Sequence, residues 1–72
     1  MSRKRIKVTV KTVIPVTSSD KRRAFWMNEV NINLNIQNEY KRPYIRMFGK
    51  VKYIKREEVK MYIEHKITVH YE

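Results

Sequence analysis

Apolar and polar side chains alternate through four runs of this chain, and a period of two marks a strand with one buried face. In the first run Ile6, Val8, Val10, Ile14 and Val16 share one parity, while Arg5, Lys7, Thr9 and Lys11 take the other. The second run, from Trp26 to Ile36, sets Val30, Ile32, Leu34 and Ile36 against Asn31, Asn33, Asn35 and Gln37. In the third, Ile45, Met47, Val51 and Tyr53 alternate with Tyr44, Arg46, Phe48, Lys50 and Lys52. The fourth opposes Val59, Met61, Ile63, Ile67, Val69 and Tyr71 to Lys60, Tyr62, Glu64, Lys66 and His70. The abundance of Val, Ile, Thr and Tyr agrees with strand, and the asparagines of the second run are the one local conflict. Read this way, no window carries the i, i+3, i+4, i+7 spacing of an amphipathic helix. Residues 17–23, 38–43 and a short turn near 55–58 connect the runs.

Register follows from parity, because inward residues must face inward residues. Pairing the third and fourth runs with residue numbers that sum to 114 leaves Arg56, Glu57 and Glu58 as the turn. It opposes Lys50 to Glu64, Lys52 to Tyr62 and Gly49 to His65, whereas a sum of 112 would set Lys52 against Lys60. The first pairing is expected. A hairpin of the first two runs with sum 40 places Thr12 across from Asn28. Each strand then has one non-apolar residue in mid-face (Thr12, Asn28, Gly49, His65), and these read as bends, with Gly49 the expected bulge or kink. The architecture so derived is all-β: four long antiparallel strands in a meander, with no helix. Strands of about 12 residues run to about 40 Å and must twist. An apolar face with no helix to cover it either curls into a small barrel or pairs as a homodimeric sandwich. Residues 1–4 are expected to form a flexible basic arm, and residues 5–72 a single β domain.

A length of 72 residues allows one domain. A core of that size supplies only about 3–5 kcal/mol of net stability. There is no cysteine to staple it, and His65 and His70 stand outside any usual ligand spacing, so no metal or other cofactor is expected. A homodimer is the remaining way to complete such a core. The chain has neither an apolar run near the ~18 residues of a membrane span nor a signal-peptide pattern. A soluble, cytoplasmic protein is expected. Seventeen Lys/Arg against seven Asp/Glu give a net charge of +10 and a pI near 10.2. Such an excess repels itself, and a bound polyanion relieves the repulsion.

The outward parity of the third and fourth runs gathers Tyr44, Arg46, Phe48, Lys50, Lys52, Lys60, Tyr62 and Lys66. Phe48 is the informative member, since a large apolar ring among cations calls for a partner. Rings stack on bases while Lys and Arg neutralise phosphates, and single-strand binders combine the two on sheet surfaces. Arg46-Met-Phe-Gly-Lys-Val-Lys-Tyr53 resembles the RNP1 motif of RNA-recognition and cold-shock domains through Arg46, Phe48, Gly49, Val51 and Tyr53. Met47 stands where that motif has glycine, and Lys50 where it has a stacking aromatic. The likeness is local: it covers eight residues, and the helices of an RNA-recognition domain have no place in the all-β reading. Arg3, Lys4 and Arg5 on the arm, and Lys21, Arg22 and Arg23 in the first connection, are further phosphate candidates. The row Asn31, Asn33, Asn35, Gln37 reads as a solvated strand face, and His65 as a core residue.

Catalysis is not expected. There is no Ser/His/Asp set and no glycine-rich phosphate loop, and the adjacent carboxylates Glu57 and Glu58 lie in a turn. The expectation is a small nucleic-acid-binding protein, for DNA or RNA, with no small-molecule substrate. Two alternatives stand beside it: an assembly factor docking a protein partner through Phe25, Met27 and Phe48, and a ribosomal-type component of a ribonucleoprotein.

Overall fold

The computed structural model of the chain describes residues 4–16 and 20–72. Strand β1 (Lys4–Pro15) leads to helix α1 (Lys21–Glu39), followed by strand β2 (Tyr44–Lys55), one 3-10 turn (Arg56–Glu58) and strand β3 (Lys60–Tyr71). The protein is therefore not all-β. The described residues form three strands and one α-helix, and the second alternating run is the helix.

Residues four apart are neighbours on a helix, and four is also a multiple of two, so an alternating run satisfies both periods. In α1, Phe25, Ile32 and Ile36 turn to the sheet, while Trp26 and Leu34 stay exposed. The stripe facing the sheet is broken at its centre by Asn28 and Glu29, which hides the helical period from a search for apolar spacing. Asparagine is a poor strand former, whereas Ala24, Met27, Glu29, Leu34 and Gln37 are good helix formers. Asp20 occupies the N-cap, and Pro43 closes the connection beyond the C-cap Tyr40.

The sheet order is β1-β3-β2, with both outer strands antiparallel to β3. β1 and β2 therefore run parallel with a third strand between them, a split β-α-β arrangement, not a meander. Parallel strands need a crossover, and α1 supplies it. Thr12 lies across from Ile63, not Asn28. β1 and β3 pair without interruption from Lys4↔Tyr71 to Pro15↔Lys60.

Between β2 and β3 the expected register holds through Gly49↔His65, Lys50↔Glu64 and Val51↔Ile63. The ladder then shifts, so that Tyr53 lies across from Tyr62 and Ile54 across from Met61. The bulge is at Lys52, not Gly49. Its extra residue reverses the parity of the strand end, which turns Tyr53 off the apolar face and puts Ile54 on it. The turn closes through Val59 in the left-handed region, φ 52° and ψ 48°.

Only the middle strand is covered. Met61, Ile63, Ile67 and Val69 of β3 are buried, with Val16 and His65. Ile14, Ala24, Phe25 and Ile54 pack on one end of this row. At the other end Ile32, Ile36 and Tyr40 of the helix face Ile6, Val8 and Val10 of β1 across an apolar groove of about 320 Å³. At the centre the His65 ring, with no exposed surface, stacks on Phe25 at 5.4 Å and lies against Gly49. Its Nε2 is 3.3 Å from Oε1 of Glu29, an ion pair only when the ring is protonated. Neither ring nitrogen has a hydrogen-bond partner among the described residues, and the same holds for Asn28 Nδ2. No helix among the described residues is long and apolar enough to cross a membrane.

Candidate nucleic-acid interface

α1 packs on one face of the sheet, and among the described residues no element covers the other face. The pairing register orders that open face into six rows: Arg5–His70–Tyr44, Lys7–Thr68–Arg46, Thr9–Lys66–Phe48, Lys11–Glu64–Lys50, Val13–Tyr62–Tyr53 and Pro15–Lys60–Lys55. Side chains within a row stand about 5 Å apart, and rows repeat every 6.6–6.8 Å or so along the strands. Eight cations stand in these rows: Arg5, Lys7, Lys11, Arg46, Lys50, Lys55, Lys60 and Lys66. Glu64 is the one carboxylate within the rows.

The carboxylates divide the cations into two groups. Glu58, at the turn, holds Lys55 at 2.7 Å and Lys60 at 3.4 Å, and these two ammonium groups lower its pKa. Glu64 holds Lys52 at 3.2 Å, so the bulge directs Lys52 to the open face. Arg5, Lys7, Lys11, Arg46, Lys50 and Lys66 have no ion pair among the described residues, and they carry the unbalanced charge. Exposed pairs of this kind contribute little to stability, so a competing phosphate can displace them.

Rings interleave with these charges. Phe48 is 71% exposed, on β2 between Arg46 and Lys50 and directly across from Lys66. Tyr53 stacks on Tyr62 at 4.2 Å and 15°, beside a shallow depression of about 360 Å³ that Lys11, Val13 and Lys52 also line. Tyr44 and His70 form a looser pair at 5.9 Å.

The candidates read from the sequence separate cleanly on this structure. Tyr44, Arg46, Phe48, Lys50, Lys60, Tyr62 and Lys66 share the open face, joined by Lys52 through Glu64 and by Arg5 from β1. Lys60 is held by Glu58. Lys4 has the opposite parity, across from Tyr71. Lys21, Arg22 and Arg23 form the first turn of α1, in the helix layer, and belong to no loop. Arg3 lies outside the described residues. Lys7, Lys11, Tyr53 and Lys55 complete the face, beyond the candidates that the sequence marks. Lys7 and Lys11 share the parity of Arg5, which is the available signal, but a meander sets their strand beside the second run and not beside β3.

No protein-family model, curated protein or solved structure matches the chain.

Proposed function

We propose that this chain binds single-stranded nucleic acid along the open sheet face, without catalysis and in the cytoplasm. The observation that carries the reading is Phe48, an exposed ring held between two unpaired cations and across from a third. An exposed ring in contact with water costs free energy that a stacked base recovers. Base–aromatic stacking contributes about 1–3 kcal/mol per base. Six cations free of ion pairs among the described residues supply the phosphate contacts, which depend on salt and not on sequence.

The shape of the face favours a single strand over a duplex. A two-stranded ribbon enters the major groove, about 12 Å wide. Three strands about 4.8 Å apart, each bearing long side chains, make a broader and flatter surface than that groove admits. A single strand laid across the rows keeps its bases unstacked and available to Phe48, Tyr53 and Tyr62.

Titration with labelled single-stranded and duplex oligonucleotides at several salt concentrations tests the proposal. Tighter binding of the single strand, with a slope of log K on log salt corresponding to several phosphate contacts, is the expected result. Equal or tighter binding of the duplex would refute it.

A further inference from the structure

β2 is an outer strand of the sheet, and its three rings, Tyr44, Phe48 and Tyr53, all belong to rows of the open face. Each is more than half exposed, at 53%, 71% and 56%. Their partners on β3 are His70, Lys66 and Tyr62, which stand four residues apart at each step. Four residues of strand measure about 13 Å, so the rings form a line of equal steps along one side of the face.

The bulge is what makes the steps equal. In an unbroken ladder Lys52 would stand across from Tyr62, and Tyr53 would turn to the apolar side. The extra residue brings Tyr53 across from Tyr62 instead, so the third ring keeps the step of the first two. Arg46 and Lys50 occupy the intervals, and neither has an ion pair among the described residues. Lys7 and Lys11 lie in the same two rows on β1. Glu64, the carboxylate in the second of these rows, is engaged by Lys52 at 3.2 Å. β2 therefore reads ring, cation, ring, cation, ring. Tyr62 braces Tyr53 by stacking on it at 4.2 Å, and His70 stands beside Tyr44 at 5.9 Å.

The step selects a conformation of the ligand. Stacked bases along one strand of a duplex rise about 3.4 Å each, which would crowd about four of them into every step. A strand drawn out to about twice that rise brings every second base to a ring. We infer that β2 is a stacking rail for an extended single strand, with the first, third and fifth bases of a five-nucleotide segment on Tyr44, Phe48 and Tyr53. The phosphates of the intervening nucleotides meet Arg46 and Lys50. This inference rests on the reading of the open face given above and adds the length and the stretched conformation of the bound segment. Base identity matters little on such a rail, because every base has a ring face.

Two thymidine pentamers with equal numbers of phosphates and three bases each test the spacing, in titrations at low salt. One lacks its second and fourth bases, and the other lacks its third and fourth. The first fills all three rings, whereas the second leaves Phe48 empty and should bind about tenfold more weakly. Phe48→Ala should abolish the difference. Tyr44→Ala and Tyr53→Ala should weaken both pentamers alike and preserve it. Equal affinity of the wild type for the two pentamers, or a difference that survives Phe48→Ala, would overturn the rail. A ring acting alone finds a base in either pattern, so equal affinity with salt-dependent binding leaves the functional reading standing. Binding of a long thymidine oligonucleotide but not of the intact pentamer also overturns the rail alone. Binding of neither overturns the functional reading with it.

Discussion

Gly49→Ala is the substitution on which the packing account is most exposed. A Cβ built on Gly49 collides with Nε2 and Cδ2 of His65 and comes within 2.7 Å of Glu29 Oε1. Glu29 is partly exposed and can swing toward water. His65 cannot yield, because its ring has no exposed surface and is stacked on Phe25. Overpacking of this kind costs about 1–3 kcal/mol. Against a net stability of about 3–5 kcal/mol for a domain of this size, the loss is large. At about 4–8 °C per kcal/mol, a loss near 2 lowers Tm by roughly 8–16 °C. Urea unfolding should show a lower midpoint at unchanged slope. His65→Val removes the ring that the methyl strikes, so the double variant should be more stable than the sum of the two single changes, by about 1 kcal/mol. An additive cycle, or a Gly49→Ala protein as stable as the wild type, would show that the glycine is not there to admit the ring.

Three other outcomes follow from the same structure. Val59 is β-branched and sits at φ 52°, a conformation that costs a residue with a side chain about 1–2 kcal/mol. Since Val59 is 48% exposed and little packing is lost, Val59→Gly should raise Tm by several degrees in a thermal melt. Glu64→Gln releases Lys52, and Glu58→Gln releases Lys55 and Lys60, so each should tighten nucleic-acid binding and steepen its salt dependence by up to about one unit per freed cation. Unchanged affinity in both would remove the turn end from the binding face. The depressed pKa of Glu58 has a fixed sign: its small contribution to stability is present above the ordinary carboxylate pKa and is lost as pH falls through the folded value. Acidification should therefore weaken the fold slightly there, and Glu58→Gln should abolish that part of the pH dependence.

The three strands are legible because Val, Ile, Thr and Tyr alternate with Lys and Arg over a dozen residues, so that strand propensity and period agree. The pairing of Gly49 with His65 and of Lys50 with Glu64 was legible too, since parity and a short turn leave few registers open. What parity cannot contain is an added residue, so the bulge at Lys52 and the outward turn of Tyr53 went unseen. The helix was hidden because its alternating asparagines fit a strand period, and because Asn28 and Glu29 break the stripe that packs on the sheet. Read as a strand, that segment takes the place beside β1 that β3 holds. The basic residues Lys7 and Lys11 then fall outside the face to which their parity assigns them. The half of the face built by β2 and β3 survived because it depends only on a local hairpin.

The central claim, that the open face binds a single strand through both charge and stacking, is tested most directly by comparing Phe48→Ala with Lys50→Ala across a salt series. On single-stranded oligonucleotides Phe48→Ala should cost about 1–3 kcal/mol and leave the slope of log K on log salt unchanged. Lys50→Ala should lower that slope by about one unit and act alike on all sequences. On duplex DNA the loss at Phe48 should nearly vanish, because stacked bases offer no free ring face. If Phe48→Ala leaves single-strand affinity intact while Lys50→Ala lowers the slope, the face is a charged surface without a stacking site, and the account is wrong.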